Sequence, residues 1–573
     1  MPMLKDPSVK YDAFPPMHLP NRQWPSKVLK EAPRWLSTDL RDGNQSLPDP
    51  MTFEEKKAYF HKLVDIGYKE IEVAFPSASQ VDFDFTRYAV QNAPEDVTIQ
   101  VLSQCREELI RRTVESLHGA HRATVHLYLA TSECFRNVVF GLSQEKTKAI
   151  AVKCTQLVRA LTKDDPLQLQ TQWTYEFSPE TFSDTNVDYV LEVCEAVKAA
   201  WEPSLDNPII FNLPATVEMS TPNVYADQIE YFSTHISERE KVCISLHPHN
   251  DRGCAVAAAE LGQLAGADRI EGCLFGNGER TGNVDLVTLG LNLYSQGISP
   301  KIDFSNLNEI IEIVERCNKI RVSERAPYGG SLVVCAFSGS HQDAIKKGFS
   351  DYSRQLAESD NKNIKWKLPY LPIDPTDIGR TYEMIIRINS QSGKGGSAWV
   401  ILKNIGLDLP RALQVDFLKA VQNQAEVKGL ELTNAEICAL FRKNYYMDAS
   451  ATYPYQIIYY SITSAKAGKR EITIELQING ETRKLGGSGN GPISAFSNAI
   501  LSDLGIQIDV KHYHEHSLGE DSNSQAVTYI GAVTSHGEIV WGVGIHEDVS
   551  QASFLSLVSI LNNLHARQAS SQD

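Results

Sequence analysis

Short apolar runs alternate with longer amphipathic segments over the first half of the chain. Eight strand-like runs occur between Arg34 and about Gly276, and the segments between them carry apolar positions at helical spacing. The runs are Trp35–Leu40, Lys69–Phe75, Val97–Ser103, Ala123–Ala130, Leu169–Phe177, Pro208–Pro214, Val242–His247 and Arg269–Phe275. Strands that alternate with helices indicate parallel βαβ units, and eight units over about 250 residues have the size of a (β/α)₈ (TIM) barrel of the α/β class. The alternative is a doubly wound open sheet, which usually has about five to seven strands.

The pattern changes after the eighth run. Residues 302–430 have mostly helical spacing, and from Tyr455 onward strand-like runs dominate. These runs form two successive sets of three strands and one helix, an internal βββα pseudo-repeat that indicates an α+β domain. The sets are Gln456–Ser464, Glu471–Ile478, Glu481–Leu485 with Ile493–Leu504, and Gln507–His514, Gln525–Ser535, Glu538–Ile545 with Phe554–Leu564. We therefore divide the chain into an N-terminal arm (1–33), a barrel (34–301), a mostly helical linker (302–434) and a C-terminal α+β domain (435–573).

Composition and charge narrow the class of protein. The 573 residues are 42% hydrophobic and 22% charged, as in an ordinary globular enzyme, and no apolar run approaches the roughly 20 residues that cross a bilayer. A net charge of −16 argues against nucleic acid and anionic membranes as partners. Ten cysteines without a CxxC pair are typical of reduced thiols, and the N-terminal residues lack the features of a secretory or transit signal. We therefore expect a cytoplasmic protein.

Polar residues gather where three of the predicted strands end. His247 and His249 follow the seventh strand at positions i and i+2, so both imidazoles point the same way. Asp42 follows the first strand, and Asn283 follows the eighth. In a closed barrel these strands are neighbours, and functional residues lie at the carboxyl ends of the strands. The four side chains can therefore converge on one cation, and their nitrogen and oxygen atoms suit Mn²⁺, Zn²⁺, Fe²⁺ or Mg²⁺.

Several motifs resemble the 2-isopropylmalate synthase family in its long form. The barrel motifs are RDGNQ (41–45), NLPATVEMSTPN (212–223), LHPHNDRG (246–253) and GNGERTGN (276–283). They are shared with homocitrate synthases and related acyl-CoA lyases. The later motifs narrow the resemblance, which runs from about residue 10 to about residue 565; they are SGSHQDAIKKG (338–348), PYLPIDPTDIGR (369–380), NSQSGKGG (389–396) and GGSGNGP (486–492).

The resemblance implies a Claisen condensation of acetyl-CoA with 3-methyl-2-oxobutanoate. Hydrolysis of the thioester then gives 2-isopropylmalate and CoA, the first committed step of leucine biosynthesis, under feedback inhibition by leucine. It also implies a homodimer and a divalent cation, Mg²⁺ first, with Mn²⁺ or Zn²⁺ as alternatives. The alternative functions are homocitrate or citramalate synthase, or a related metal-dependent acyl-CoA lyase.

Chemistry and resemblance together suggest roles for individual residues. Arg41, beside Asp42, is placed to neutralise a developing oxyanion. The candidates for proton transfer are Glu180, Glu279, His341 and Tyr370. By resemblance, His341 and Tyr370 reach the active site of the partner subunit, with His341 as part of the base machinery. Glu180 could instead cap a helix, and Tyr370 could be a packing aromatic.

The substrate's two ends need different surroundings. Thr216, after the sixth strand, is expected to bind the substrate carboxylate, although a threonine there could equally cap a helix. Phe75 and Ser77, after the second strand, are expected to line an apolar pocket for the isopropyl group. Discrimination of one methyl group in such a pocket is worth only about 1–3 kcal/mol.

The C-terminal pseudo-repeat indicates a regulatory module. Each half delivers a turn to a helix N-terminus, which favours a carboxylate. By resemblance this is the leucine-sensing domain, and Gly489, Asn490 and Gly491 are the residues expected to bind leucine. The alternative is a dimerisation module without an effector. His512, His514 and His516 alternate along one predicted strand, and we expect an exposed face there, not a second metal site.

Overall fold

The chain forms two compact units in a computed structural model. The first comprises Met1–Val333 with Pro375–Arg380, and the second comprises Val334–Asp374 with Thr381–Asp573. The structure describes residues 3–333, 335–336, 338–359, 364–380, 394–428, 431–448, 451–464, 468–519, 524–534 and 537–570. The first five residues of the NSQSGKGG motif, 389–393, lie outside these ranges. The domain boundaries inferred from sequence stay predictions.

The first unit is a closed barrel of eight parallel strands in sequential order. The strands are β1 (Arg34–Ser37), β2 (Glu70–Ala74), β3 (Thr98–Gln104), β4 (Arg122–Ala130), β5 (Gln172–Glu180), β6 (Ile209–Asn212), β7 (Val242–Leu246) and β8 (Arg269–Gly272). β8 pairs with β1 in parallel, with Ile270 opposite Trp35, and this closes the barrel. The predicted (β/α)₈ fold is confirmed, and the open-sheet alternative is excluded.

Helices follow the strands around the barrel. They are α1 (Phe53–Ile66), α2 (Gln80–Asn92), α3 (Glu107–Ser116), α4 (Gln144–Leu161), α5 (Val187–Trp201), α6 (Pro222–His235), α7 (Ala255–Leu264), α8 (Leu286–Ser295) and α9 (Leu307–Asn318). A capping box between Thr52 and Glu55 starts α1, and Gly67, with φ of 105°, ends it. α9 lies against α1, where Lys62 pairs with Glu309 at 2.7 Å.

β1 ends three residues before the predicted strand end at Leu40. The carbonyl of Thr38 accepts hydrogen bonds from the N–H groups of Arg41, Asp42 and Gly43. These bonds wind residues Asp39–Gly43 into a single π-helical turn. The turn places Arg41 and Asp42 at the mouth of the barrel, beside the end of β8.

The second unit combines helices with two small sheets. Its elements are α10 (Gly339–Glu358), α11 (Lys394–Ile405), α12 (Arg411–Lys428), α13 (Asn434–Asn444), β9 (Tyr455–Ser464), β10 (Arg470–Ile478), β11 (Glu481–Gly489), α14 (Pro492–Leu504), β12 (Asp509–Leu518), β13 (Gln525–Val533), β14 (Ile539–His546) and α15 (Val549–Ser570). The strand orders are β11-β10-β9 and β12-β13-β14, both antiparallel. The predicted pseudo-repeat is therefore present, and its two halves share one core that includes Ile474, Phe496, Ile530 and Phe554.

Two details of the second unit differ from the sequence predictions. β11 continues four residues beyond Leu485 and includes Gly489, which pairs with Arg470. A Cβ at Gly489 would lie 2.1 Å from Ser494 Oγ, so glycine permits the close approach of α14. The histidine row is not uniformly exposed, because His512 stacks on Trp541 and His516 bonds to the Tyr529 hydroxyl at 2.9 Å.

Among the described residues, none of the helices combines the length and the apolar character needed to cross a bilayer.

Candidate metal centre and active site

Asp42, His247 and His249 form a buried cluster at the carboxyl ends of β1 and β7. One ligand atom from each of the three lies within 4.8 Å of the others. His247 Nε2 is 3.4 Å from Asp42 Oδ2, and the two imidazole ring centroids are 5.3 Å apart. The structure thus brings together three of the four side chains that the sequence nominated as ligands, in a geometry able to hold one metal ion.

Asn283, the fourth nominated ligand, lies against the same cluster. Its Oδ1 is 3.0 Å from His247 Nε2, and its Nδ2 donates to Asp42 Oδ2 at 2.8 Å. The glycine-rich loop 276–282 folds closely around it, and a Cβ at Gly278 would lie 2.4 Å from Asn283 Nδ2. This contact explains why the loop needs glycine beside a candidate ligand.

Two features of the cluster fit a bound cation. His249 Nδ1 is buried and has no hydrogen-bond partner in the described part of the chain. Burial, together with the neighbouring His247, lowers the pKa of His249 to about 4, so its imidazole is neutral and able to act as a ligand. For Asp42, burial opposes ionisation, but Arg41 and His247 outweigh it and hold the pKa of the carboxyl well below its usual value.

A second ring of buried charges supports the ligands. Glu271 Oε2 accepts a hydrogen bond from His247 Nδ1 at 3.1 Å, which directs Nε2 toward Asp42. The other oxygen of Glu271 accepts from Arg269 at 2.6 Å and from Ser245 at 2.7 Å. Arg269 is fully buried inside the barrel, so the support for the ligand continues into the barrel interior.

Arg41 is fixed between two carboxylates. Its Nη1 lies 2.7 Å from Asp42 Oδ1, and its Nε lies 2.5 Å from Glu72 Oε1. Burial would raise the pKa of Glu72, but Arg41 and His126 lower it to about 2. The guanidinium is therefore held cationic and in one place, beside the cluster of Asp42, His247 and His249.

The cluster opens into a cavity of about 210 Å³. The cavity is lined by Arg41, Asp42, Gln45, Leu102, His126, Tyr128, Ser178, Glu180, Asn212, Pro214, Thr216, His247, His249, Glu279 and Arg280. Seven of the barrel residues that the sequence nominated therefore line this one cavity. They are Arg41, Asp42, Glu180, Thr216, His247, His249 and Glu279.

Glu180 and Thr216 are linked by Thr181, the residue that follows β5. Glu180 ends β5, and Thr181 follows in the left-handed region with φ of 63°. The Thr181 N–H donates to Thr216 Oγ1 at 2.9 Å, which leaves the Thr216 hydroxyl proton available to another acceptor. Burial raises the pKa of Glu180, and Arg41 only partly offsets this.

Phe75 and Ser77 are not among the lining residues of the cavity. The Thr113 hydroxyl, on α3, donates to Ser77 Oγ at 3.5 Å. Leu102, on β3, and Pro214, after β6, supply apolar lining instead.

The remaining nominated residues belong to the second unit. His341 and Tyr370 stack with ring centroids 4.1 Å apart, and Tyr370 is 62% exposed. Asn490 and Gly491 form the turn before α14, where Ser494 Oγ donates to Asn490 Oδ1 at 2.6 Å. The roles of these residues, like those of the barrel residues, stay predictions.

Sequence reasoning missed the buried supporting charges. Glu72, His126 and Glu271 lie on barrel strands that were interpreted as plain apolar runs. Charged or imidazole groups inside such runs are unusual in a barrel core, and this is the signal that could have revealed them.

The comparisons with known proteins agree with this architecture. The HMGL-like family model matches residues 32–314, the "Alpha-isopropylmalate synthase, post-catalytic domain-like" model matches residues 331–402, and the "LeuA allosteric (dimerisation) domain" model matches residues 431–565. Together with the buried Asp-His-His cluster, these matches define a barrel enzyme of the HMGL-like class.

Curated relatives identify the family within that class. A 2-isopropylmalate synthase of Saccharomyces cerevisiae is 58% identical over 98% of this chain and 91% of its own length. The enzyme of Schizosaccharomyces pombe is 55% identical over 97% of this chain and 96% of its own length, and that of Ralstonia nicotianae is 50% identical over 100% and 97%. The chain therefore belongs to the 2-isopropylmalate synthase family, as its motifs indicated.

Proposed function

We propose that this chain condenses acetyl-CoA with 3-methyl-2-oxobutanoate and hydrolyses the thioester, releasing 2-isopropylmalate and CoA. The observation that carries the proposal is the convergence of Arg41, Asp42, His247 and His249 on one cavity. The near full-length identity to curated synthases supports the same reaction. We assign catalysis to residues 34–301, linkage to 302–434 and regulation to 435–573.

The ligand set fits a divalent cation. Asp42, His247, His249 and Asn283 would hold it, and we assign Mg²⁺ first, with Mn²⁺ or Zn²⁺ as alternatives. When bound, such an ion polarises the keto group of a 2-oxo acid and stabilises negative charge on its oxygen.

The barrel residues then bind and orient the 2-oxo acid. The fixed guanidinium of Arg41 neutralises the developing alkoxide without reorganisation during the reaction. The free hydroxyl proton of Thr216 binds the substrate carboxylate. Leu102 and Pro214, which line the cavity, contact the isopropyl end, and we assign Phe75 and Ser77, from the loop after β2, to the same apolar pocket. Because such a pocket discriminates a methyl group by only about 1–3 kcal/mol, we expect pyruvate and 2-oxobutanoate to be poorer substrates rather than excluded ones.

The reaction needs protein groups that exchange protons with each of the two substrates. Because burial favours its protonated form, we assign Glu180 as an acid, with Glu279, which lines the same cavity, as a second candidate. We assign His341 and Tyr370, from the second unit, to deprotonation of the acetyl methyl group. In a homodimer they would serve the partner's cavity, and the match to a LeuA dimerisation model supports a dimer.

The C-terminal domain carries the regulation. The LeuA allosteric model covers residues 431–565, which supports feedback inhibition by leucine. We assign leucine binding to Gly489, Asn490 and Gly491. We also assign a cytoplasmic location. Fractionation of the source cells tests this assignment, and the test is needed because one relative from Saccharomyces cerevisiae, 58% identical, is named mitochondrial.

A substrate panel tests the proposal. Release of CoA from acetyl-CoA is measured with 3-methyl-2-oxobutanoate, 2-oxoglutarate or pyruvate, each with and without leucine. We expect the highest kcat/KM with 3-methyl-2-oxobutanoate and inhibition by leucine. A clear preference for 2-oxoglutarate or pyruvate would identify a homocitrate or citramalate synthase instead.

A further inference from the structure

One ion pair joins three consecutive loops at the carboxyl end of the barrel. Asp251 lies in the loop after β7, and Arg280 lies in the loop after β8. Arg280 Nε donates to Asp251 Oδ1 at 2.6 Å, and its Nη2 donates to Asp251 Oδ2 at 3.1 Å. The same Nη2 donates at 2.5 Å to the carbonyl of Thr216, in the loop after β6. Two side chains outside the mechanism described above therefore connect all three loops.

The loops after β6 and β7 are also held by a reciprocal pair of contacts. The N–H of Glu218 donates to Asp251 Oδ2 at 3.0 Å. In return, Glu218 Oε2 accepts from the N–H groups of Arg252 at 2.5 Å and of Cys254 at 3.4 Å. Glu218 is buried, so water competes little for these contacts. Asp251 thus accepts from two neighbouring loops at once, and a shift of its carboxylate would disturb both.

Arg280 has a backbone conformation that depends on its surroundings. Its φ of 57° lies in the left-handed region, which residues other than glycine rarely adopt. Such a conformation costs free energy and persists where other contacts hold it in place. The hydrogen bonds of Arg280 to Asp251 and Thr216 are contacts of this kind. Glu279, the preceding residue, lines the active-site cavity, so the conformation of Arg280 also affects the direction of that side chain.

Each of the three joined loops carries a residue of the proposed active site. Thr216, His249 and Glu279 all line the cavity. Thr216 is fixed at two atoms, because its carbonyl accepts from Arg280 and its hydroxyl oxygen accepts from the Thr181 N–H at 2.9 Å. Precise placement matters here, since a displacement of about 1 Å in a binding group can cost about 100-fold in rate.

We propose that Asp251 and Arg280 are positioning residues that hold Thr216 where it binds the carboxylate of the 2-oxo acid. Asp251 is not among the residues that line the cavity, so it acts through Arg280 and not on the substrate. The role requires arginine, because a single ammonium group does not reproduce the planar fork that reaches Asp251 and Thr216 together. The proposal rests on the proposed function, which assigns Thr216 to the substrate carboxylate.

Removal of the Asp251 charge tests the pair in the full-length enzyme. In Asp251→Asn the side chain has one oxygen acceptor instead of two, so the double contact with Arg280 is lost. We expect the KM for the 2-oxo acid to rise about tenfold, whereas the KM for acetyl-CoA stays the same. An unchanged KM for the 2-oxo acid, or an equal rise in both KM values, would overturn the proposal.

Asp268→Asn is the matched control for general damage to the barrel. Asp268 directly precedes β8, at the opposite end of the barrel, and it too accepts from an arginine and a backbone N–H. Its Oδ2 accepts from Arg239 Nη2 at 2.7 Å and from the Ile244 N–H at 2.8 Å. We expect both KM values of this variant to match those of the wild type. A rise equal to that in Asp251→Asn would contradict a specific role for the pair.

Substitution of Arg280 tests the pair from its other side. Arg280→Lys keeps the charge but not the fork, so we expect it to raise the KM for the 2-oxo acid as Asp251→Asn does. Arg280→Ala leaves space for a free guanidinium ion. Millimolar guanidinium chloride should therefore lower the KM for the 2-oxo acid of Arg280→Ala, and potassium chloride at the same concentration should not. A normal KM in Arg280→Lys, or equal effects of the two salts, would contradict the role of the fork.

A double-mutant cycle shows whether the pair acts through Thr216. Thr216→Val removes the hydroxyl group that binds the carboxylate, so adding Asp251→Asn should raise the KM by less than about twofold further. Fully additive effects would overturn the proposal. The cycle uses the 2-oxo acid that the substrate panel prefers. A preference for 2-oxoglutarate or pyruvate would contradict the proposed function, while the cycle with that acid would still test the positioning of Thr216.

Discussion

At the candidate metal centre, the orientation of His247 depends on Glu271 and Arg269, which are not among the residues that line the cavity. His247 directs one ring nitrogen to Asp42 while the other donates to Glu271, and Glu271 is in turn held by Arg269. The sequence suggested the ligands because they stand in polar motifs after strands. It did not suggest Glu271, because its contact with His247 spans 24 residues and depends on the register of two barrel strands.

Removal of the Glu271 charge tests this support. Glu271→Gln keeps an oxygen that can accept from His247 but loses the carboxylate, so the ring is held less firmly and is a weaker ligand. We expect the metal dissociation constant, measured by calorimetry, to rise about 10–100-fold. Glu240→Gln, at an exposed position, is the control. Equal metal affinity in both variants would contradict a supporting role for Glu271.

The pH dependence of turnover tests the acid role of Glu180. Burial raises the pKa of Glu180, so its carboxyl group loses its proton only at a pH above the usual carboxyl range. If the protonated form is the acid, kcat/KM falls as the pH rises through that raised pKa. Glu180→Gln cannot titrate, and we expect a lower kcat/KM with that limb of the pH profile missing. A profile that keeps the same limb in Glu180→Gln would assign the titration to another group.

At the scale of elements, strand and helix alternation was enough to predict the barrel, but not where its strands end. β1 stops at Ser37 because the Thr38 carbonyl starts a π-helical turn, and β11 continues to Gly489 because α14 packs against it. Both ends are set by contacts between distant or irregular segments, which local hydrophobic patterns do not encode.

The loop after β8 offers a test at this scale. In Gly278→Ala the new methyl group would meet the Asn283 amide at 2.4 Å and displace it from Asp42. We expect loss of metal affinity and of at least about tenfold in kcat/KM. Gly253→Ala is the control, because Gly253 has φ of 76° but its Cβ would meet nothing within 4 Å. Similar losses in the two variants would mean that backbone strain, and not the contact with Asn283, is responsible.

At the scale of the whole molecule, the linker helices and the C-terminal strands are not separable. Leu413 and Phe441, from the helices α12 and α13, share one hydrophobic core with Tyr529 and Trp541, from β13 and β14. This core therefore includes residues on both sides of the boundary that the sequence predicts at residue 434. Deletion of the C-terminal residues would therefore expose apolar surface, so regulation is better tested by point substitution.

Leucine inhibition provides that test. In Asn490→Ala we expect the leucine concentration for half inhibition to rise about tenfold, because one polar contact beside the α14 N-terminus is lost. Turnover without leucine should stay the same. Lys484→Ala, an exposed position on β11, serves as the control. Unchanged inhibition in Asn490→Ala would move the leucine site elsewhere.

The condensation proposed for this chain depends on a cation held by Asp42, His247, His249 and Asn283. Its most direct test is mass spectrometry of the product formed from ¹³C-labelled acetyl-CoA and 3-methyl-2-oxobutanoate, by metal-depleted and cation-restored enzyme and by His249→Ala. We expect labelled 2-isopropylmalate only from cation-restored wild type. Equal product from the metal-depleted enzyme, or from His249→Ala, would contradict the account.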